Sequence, residues 1–305
     1  MKLASYKDGS RDGQLLVVSR DLSQACYANG IATRLQQALD DWAFMAPQLE
    51  QLYQALNQGR ARHAFAFDPA QCLAPLPRPA AWLGGECYPG HGEGLRARGL
   101  AWPERLSAPL LRAGGGEALL GPGEGLAALP GLEPEPQLAG LCAELETGAG
   151  PAAALDSVRL LLLTNAWVAR PLQADELAQG LPPLHSRPAL QFAPVALTPD
   201  ELGADWAAGR ARLSLQAMHN GRKLPALALD QGQRWGLGEL LAEAVRVRPL
   251  RAATLVGLGM PGHGAPWPLQ PGDSLRLECK NAEGLSLFGA IDMDLPEQGE
   301  NDATT

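Results

Sequence analysis

Beyond residue 78, short apolar runs separated by turn-forming residues are the feature that most limits how this chain can fold. Leu213, Leu215 and Ala217 alternate with polar residues and lead into a His-Asn-Gly-Arg turn at 219–222. This period-two alternation before an Asn-Gly pair is typical of a β-hairpin. A second pair of apolar segments, separated by a turn at 281–284, predicts another hairpin. Helical patterns are few, so the sequence predicts an α+β, mainly β fold and not alternating β-α-β units.

Glycine and proline, with 35 and 26 residues, make up about a fifth of the chain and concentrate at 84–136 and 257–272. These stretches are predicted to be loops, and binding sites often lie on loop-rich faces. Between them, the apolar runs at 160–164 and 192–197 predict strands, and the amphipathic segment 236–248 predicts a helix.

The first 78 residues have a different organisation and are predicted to form a small α/β domain. Residues 15–20 alternate after an Asp-Gly turn, which predicts a β-hairpin. Residues 31–57 carry apolar side chains at three- and four-residue spacing, which predicts two helices with a break near Pro47. A proline-rich segment at 65–79 predicts an extended linker. The expected units are therefore a small domain at 1–78, a larger domain at 79–299 and a tail at 300–305.

Charge and composition exclude several classes of function. The net charge is −8 and no basic patch stands out, so a nucleic-acid partner is not expected. No run of eighteen apolar residues predicts a membrane span, and the polar start lacks a signal-peptide core, so a cytoplasmic location is expected. The five cysteines form no Cys-x-x-Cys pair and are expected to be buried free thiols.

Several short motifs, in order along the chain, resemble those of the fumarylacetoacetate hydrolase family. The most specific is Asn-Ala-Trp-Val-Ala-Arg-Pro-Leu-Gln at 165–173, which resembles a family signature. Weaker matches are spread over nearly the whole chain, at 7–15, 186–189, 192–195, 198–203, 248–250, 257–259, 272–277 and 288–291. The resemblance implies a mixed β-sheet roll of that family's C-terminal type behind a small N-terminal domain, usually as a homodimer.

The resemblance also implies a chemistry and a metal site. The family hydrolyses carbon–carbon bonds in 1,3-dicarbonyl acids with Mg²⁺ or Ca²⁺ held by four carboxylates. Those four positions fall here on Gly84, Glu135, Gln137 and Ala166. Only Glu135 keeps a carboxylate, and glycine and alanine offer no side-chain oxygen. Because affinity for a hard cation follows the number of charged oxygen ligands, no metal cofactor is expected.

The other family positions are differently preserved. By resemblance, His91 stands at the general-base position, Arg187 at that of a catalytic lysine, Arg112 at that of a tyrosine and Gln173 at that of a substrate-contacting glutamine. His91 and Arg187 are therefore the catalytic candidates. The substrate-binding candidates are Arg112, Gln173, Glu135 and Gln137.

Local sequence also favours simpler interpretations of some of these residues. His91 lies in a glycine-rich stretch that predicts a flexible loop, and the short segment 260–273 supplies no acidic residue before Asp273 to orient it. Glu135 lies between two prolines, which slightly favours a solvated loop carboxylate. Arg170 is expected to be a structural ion-pair partner.

Two functions are compatible with this pattern. The first is a metal-independent enzyme that decarboxylates, tautomerises, cyclises or hydrolyses a β-keto or 1,3-dicarbonyl acid, with His91 as base and Arg187 as anion binder. The alternative is a non-catalytic descendant, a pseudoenzyme that binds a ligand or a partner subunit. In the first, and in the ligand-binding form of the second, the expected partner is a small carboxylate or dicarbonyl compound, and neither a nucleic acid nor a membrane.

Overall fold

The computed structural model describes residues 1–103, 107–114, 118–262 and 264–297. The predicted tail at 300–305 lies outside the described residues. Within residues 1–78, the regular elements are β1 Lys2–Tyr6, β2 Gln14–Val18, β3 Gln24–Tyr27, α1 Leu35–Asp40, α2 Trp42–Asn57, β4 Phe65–Ala66 and a short 3-10 helix, Pro69–Gln71.

The remaining described chain is mostly β-strand. Its first half contains β5 Ala81–Glu86, α3 Pro89–Ala97, β6 Leu110–Gly114, β7 Ala118–Leu120, β8 Leu132–Cys142, α4 Pro151–Asp156, β9 Val158–Ala169 and α5 Arg170–Ala178. Its second half contains β10 Ala189–Leu197, a 3-10 segment Pro199–Asp205, β11 Trp206–Ala207, β12 Arg210–Ala211, β13 Ser214–His219, β14 Arg222–Lys223, β15 Leu227–Ala228, α6 Leu237–Ala244, β16 Thr254–Gly257, β17 Ser274–Lys280 and β18 Ser286–Asp294.

One large mixed sheet organises the molecule. Its strand order is β4-β3-β2-β1-β10-β9-β8-β16-β5-β6, with β7 added in parallel beside β10. The pairing of β16 with β5 is also parallel, and the other pairs in this sheet are antiparallel. A smaller antiparallel sheet, β14-β13-β17-β18 with β15, packs beside it. The predicted mainly β, α+β fold is therefore confirmed.

The large sheet is buried on both faces, and β9 shows how the sequence encodes this. Side chains alternate across a strand, so Leu161, Leu163 and Trp167 enter the core beneath the smaller sheet and α6. Leu160 and Leu162 enter the opposite core, which α1 and α2 cover. Because both faces need apolar side chains, β9 reads as a continuous apolar run and not as an alternating one.

The predicted hairpins are present, although their extents differ from the prediction. β13 turns into β14 at Asn220-Gly221, and β17 turns into β18 after Lys280. β2 pairs with β1 as well as with β3. β1 was not predicted from the sequence. All five cysteines are free and buried, as expected.

The predicted helix break near Pro47 is wrong. The break lies at Asp41, which has a non-helical backbone (φ −131°, ψ 51°), and Pro47 lies inside α2. A proline in a helix interior removes one backbone hydrogen bond. The helix continues because Leu49, Tyr53 and Leu56 bury a stripe against the sheet.

The prediction that residues 84–136 form loops is wrong in part, because this stretch contains the second half of β5, all of α3, β6 and β7, and the start of β8. Pro134 and Pro136 lie inside β8. A proline has no backbone N–H, so within a strand it is tolerated only where no neighbouring strand would accept that hydrogen bond. β16 ends at Gly257, opposite Ala139, so this edge of β8 is open at the prolines. The large sheet therefore has a gap beside residues 133–137.

No helix among the described residues is long and apolar enough to cross a membrane. The cytoplasmic location stays a prediction.

Lys2 is a charged residue buried within the large sheet, with its Nζ donating to the Arg20 carbonyl at 2.8 Å. Burial lowers the pKa of Lys2 from 10.5 to about 8, although the Glu201 carboxylate opposes this shift. Between these two values the unfolded chain keeps the proton and the folded chain releases it. The contribution of Lys2 to the free energy of unfolding therefore rises with pH in this window.

We expect Lys2→Met to be more stable than the wild type at pH 7. Its advantage should shrink above about pH 8, by up to about 1.4 kcal/mol per pH unit. Urea unfolding at several pH values measures this difference. Lys223→Met, at an exposed position, is the control and should change stability by an amount independent of pH. A constant difference for Lys2→Met would contradict the prediction.

Candidate active site

The gap in the large sheet brings the four family metal positions onto one face. Glu135 in β8 pairs directly with Ala166 in β9. Gly84 in β5 pairs with Gly257 in β16, which in turn pairs with Ala139 of β8. Directly paired residues share a face of a sheet, as do residues two apart on one strand. Gly84, Glu135, Gln137 and Ala166 therefore face the same side.

Their side chains do not fit a divalent cation. A Cβ placed on Gly84 would lie 2.6 Å from Cζ of Arg112, so a guanidinium group fills the space that a side chain at this position would occupy. The Gln137 Oε1 atom accepts a hydrogen bond from the Gly259 N–H at 2.9 Å and serves the backbone. Among the described residues, no group of three or more His, Cys, Asp or Glu side chains is arranged to hold a metal ion.

His91 is not in a loop, which corrects the prediction. It lies in the first turn of α3, which begins at Pro89, and only 2% of its surface is exposed. Proline is favoured at this first helical position because its φ is already helical and its missing N–H has no partner to lose. Gly264, with φ +60°, passes against the ring, where an added Cβ would lie 3.2 Å from His91 Cδ2.

His91 also has the orienting carboxylate that the sequence prediction did not find. Glu86, at the end of β5, places its Oε2 atom 2.8 Å from His91 Nδ1. On the other side of the ring, Nε2 lies 3.4 Å from Oε1 of Glu135. The signal was the five-residue spacing from Glu86 to His91, where the chain leaves β5 and turns into α3.

These two carboxylates determine the protonation of the ring. Burial alone would lower the pKa of His91, but Glu86 and Glu135 outweigh it and raise the pKa from 6.5 to about 9. At neutral pH the ring is therefore an imidazolium whose Nδ1 donates to Glu86, while its Nε2 lies near Glu135 without a hydrogen bond.

Glu135 is not a solvated loop residue, as the sequence slightly favoured, but a buried carboxylate in β8. Its Oε2 accepts a hydrogen bond from Arg187 Nη1 at 2.7 Å, and its Oε1 lies 2.9 Å from Arg170 Nη1. Burial would raise the pKa of Glu135, but Arg187, Arg170 and His91 hold it well below its usual value. Glu135 is therefore ionised and surrounded by cations.

Arg170 extends this network to a second carboxylate, as its expected structural role implies. Its Nε donates to Glu133 Oε2 at 2.7 Å, and its Nη1 donates to Gln173 Oε1 at 2.8 Å. Arg98 binds both oxygens of Glu133, at 2.9 and 2.6 Å. Glu133 and Glu135 thus contact three guanidinium groups, and Glu86 contacts His91. The protonated His91 leaves one positive charge in this described network.

A pocket of about 180 Å³ opens beside the network. Its polar lining includes Glu86, Arg112, Glu135, Gln137, Gln173 and Arg187, so it brings together the predicted substrate-binding residues. Its apolar lining includes Trp102, Leu110, Leu111, Leu177, Pro183 and Met260. His91 and Ala166 are not among the residues that line it.

Three residues that line this pocket carry a buried N–H donor with no hydrogen-bond acceptor among the described residues, and two of these donors are Arg187 Nε and Gln173 Nε2. Gln173 is oriented by Arg170, which uses its Oε1 and leaves its amide nitrogen directed away from that bond. Trp102 Nε1, another lining donor, is in the same state. Glu86, Trp102 and the Arg98–Glu133 pair were missed by the sequence prediction.

Sequence comparison agrees with this architecture. The model of "Fumarylacetoacetase N-terminal domain 2" matches residues 1–78, and that of "Fumarylacetoacetate (FAA) hydrolase C-terminal" matches residues 81–292. The chain belongs to the fumarylacetoacetate hydrolase family. No curated protein matches it in sequence.

Solved structures of the fumarylacetoacetate hydrolase family share its fold at low identity. Fumarylacetoacetate hydrolase from Exiguobacterium antarcticum is 18% identical with a TM-score of 0.69, over 98% of this chain and 100% of that one. Maleylpyruvate hydrolase from Sphingobium sp. SYK-6 is 18% identical with a TM-score of 0.68, over 98% and 100%. Fumarylpyruvate hydrolase from Pseudomonas aeruginosa, in complex with Mn²⁺ and pyruvate, is 15% identical with a TM-score of 0.58, over 75% and 92%.

The buried ion pairs of Arg170 predict a specific loss of stability. We expect Arg170→Met to lower the free energy of unfolding by about 3 kcal/mol, because it leaves buried carboxylates without a counter-charge. Urea unfolding followed by circular dichroism measures this. Arg246→Met is the control, since Arg246 is 72% exposed and pairs with Glu243 at the surface. It should change stability by no more than about 0.5 kcal/mol. Equal stability of the two variants would contradict the role of Arg170.

Proposed function

We propose that this chain binds a small β-keto or 1,3-dicarbonyl acid in the pocket beside Glu135, without a divalent metal, with Arg187 as the anion binder. The observation that carries the proposal is the pair of buried donors, Arg187 Nε and Gln173 Nε2, which line the pocket and have no acceptor among the described residues. A buried donor without a partner destabilises a protein by about 1–3 kcal/mol. A ligand carboxylate supplies acceptors for both.

The charges around the pocket support an anionic ligand. Arg187 and Arg112 both line it, and hydrogen bonds between guanidinium and carboxylate are among the strong ones in proteins. The Glu86 and Glu135 carboxylates lie in the same wall, but His91 contacts Glu86 at 2.8 Å, and Arg170 and Arg187 contact Glu135 at 2.9 and 2.7 Å. The positive potential of the arginines therefore dominates at the ligand position.

The side chains at the four family metal positions supply too few free oxygen atoms to hold a divalent metal. Gly84 and Ala166 bring no oxygen, Gln137 Oε1 is bound to the backbone, and Arg112 lies in the space beside Gly84. A divalent metal ion placed here would also be repelled by the guanidinium groups. In this proposal the arginines supply the positive charge that a divalent ion would supply.

The geometry favours binding over catalysis by a general base. His91 Nδ1 donates to Glu86 and Nε2 lies 3.4 Å from Glu135, and the protonated ring has no lone pair with which to accept a proton. His91 is not among the residues that line the pocket. His91 as base stays a prediction from the family resemblance.

Decarboxylation of a β-keto acid is the second candidate function, because it needs no base. The carbon–carbon bond to the carboxylate breaks, CO₂ leaves, and the electron pair moves onto the ketone oxygen as an enolate. Guanidinium groups in a pocket of low polarity stabilise such a developing charge. Arg112 and Arg187, which both line the pocket, favour this candidate over hydrolysis.

Titration with Mg²⁺, Ca²⁺ and Mn²⁺ tests the metal-free part of the proposal. We expect no rise in the melting temperature with increasing concentration of any of the three ions, because the site lacks the oxygen ligands to bind them. An ion that did bind the native state would stabilise it increasingly as its concentration exceeded the dissociation constant. A thermal-shift series, with the protein first treated with a chelator, measures this. A rise that grows with the concentration of one ion would contradict a metal-free site.

Arg187→Lys tests the anion-binding role while keeping the charge beside Glu135. Lysine can still pair with that carboxylate but lacks the Nε donor of the guanidinium fork. We expect about a tenfold or greater loss of affinity for acetoacetate, as for one lost charge-assisted hydrogen bond. Calorimetric titration measures it. Arg222→Lys, at an exposed turn, is the control and should bind like the wild type. Undiminished binding by Arg187→Lys would refute the role of Arg187.

A further inference from the structure

We infer that the ligand of this pocket presents a hydroxyl group to Glu86, so that the site selects a hydroxy acid, or the enol tautomer of a β-keto acid, over the keto form. This inference rests on the proposed carboxylate site and specifies its ligand. Glu86 lines the same pocket and is only 5% exposed. Its Oε2 accepts from His91 at 2.8 Å, whereas its Oε1 is buried with no hydrogen-bond partner among the described residues.

The path to this oxygen is kept open by a glycine. A Cβ on Gly259 would lie 3.2 Å from Glu86 Oε1 and 2.7 Å from the Gly85 carbonyl oxygen. Gly259 also has φ +86°, which a residue with a side chain rarely adopts. Gly259 itself lines the pocket, so the space next to Glu86 Oε1 belongs to the ligand cavity.

The hydrogen-bonding chemistry of a carboxylate oxygen determines what can occupy that space. A carboxylate accepts hydrogen bonds and donates none. A ketone oxygen placed against it would set two acceptors in opposition, whereas an alcohol or enol O–H donates to it. An ammonium group would also donate, but Arg112 and Arg187 line the same pocket and repel a cation. A neutral hydroxyl is therefore the donor that fits.

Glu135, the other carboxylate in the pocket wall, does not compete for this role. Its Oε2 already accepts from Arg187 at 2.7 Å. Its Oε1 also has no hydrogen bond among the described residues, but two cationic groups already face it, Arg170 Nη1 at 2.9 Å and His91 Nε2 at 3.4 Å. The described pocket thus has donors at Arg187 and Gln173 and an open acceptor at Glu86. A small acid with a hydroxyl near its carboxylate complements both.

Three C4 acids that differ in one group test the inference: 3-hydroxybutyrate as separate enantiomers, acetoacetate and butyrate. We expect the better 3-hydroxybutyrate enantiomer to bind about tenfold or more tightly than butyrate, because a site that binds a hydroxyl leaves a polar group unpaired with the analogue that lacks it. Acetoacetate in its keto form should bind no better than butyrate. Calorimetric titration of the wild type measures all three.

Glu86→Gln provides the matched change in the protein. The glutamine amide can accept from His91 through its oxygen and donate to the ligand through its nitrogen. Because the amide N–H can donate to a ketone oxygen and to a hydroxyl oxygen alike, we expect the preference for 3-hydroxybutyrate over acetoacetate to be lost. Circular dichroism and unfolding curves check that the variant folds, and the wild-type ligand series decides the question if it does not.

The outcomes separate this inference from the proposed function. If the three acids bind the wild type equally and Arg187→Lys weakens all of them, the carboxylate site stands and the hydroxyl inference is overturned. An unchanged preference in folded Glu86→Gln also overturns it. If none of the three acids binds, the proposed carboxylate site fails and the inference fails with it.

Discussion

The buried carboxylate of Glu135 is the interaction on which the candidate site depends. It lies in β8 at the gap in the large sheet, and it is contacted by Arg170 from α5, by Arg187 from the segment before β10, and by His91 from α3. Each of these groups is buried, so none has bulk water to compensate its charge. The elements that carry them are therefore fixed to one another through a single side chain. The pocket takes its shape from this arrangement.

A guanidinium group and a divalent ion are different ways to hold an anion. An ion attracts oxygen from every direction and exchanges ligands, whereas a guanidinium offers donors in one plane at fixed angles. Where the family resemblance implies a metal, this chain has Arg112 beside Gly84 and Arg187 on Glu135. Such a site distinguishes ligands by the direction of their lone pairs and hydroxyl groups more than by their charge. Its selectivity therefore depends on how rigidly the surrounding side chains hold the guanidinium groups in place.

The sequence predicted the fold class, the hairpins and most members of the pocket because each left a local or ordered signal. The apolar run of β9 and the motif that contains Gln173 are examples. It failed where tertiary packing overrode local propensity: Pro47 lies inside a helix whose buried stripe keeps it helical, and the glycines around His91 allow close packing of α3 and not a loop. Glu86 was missed because its contact with His91 depends on the turn between β5 and α3, which brings the two side chains together. No spacing rule taken from the family pointed to it.

The pairing of β1 with β10 has a consequence for how this family architecture evolves. The two sequence units meet at residues 78–81, yet Lys2 and Leu3 pair with Leu197 and Ala196, so one sheet runs through both. The N-terminal unit thereby covers an edge that would otherwise expose a row of unpaired backbone groups, and exposed edges invite aggregation. A lineage that lost this unit would have to protect β10 in another way, by a charged or shortened strand or by a second subunit. The strands of the small domain thus protect the edge of the larger domain's sheet.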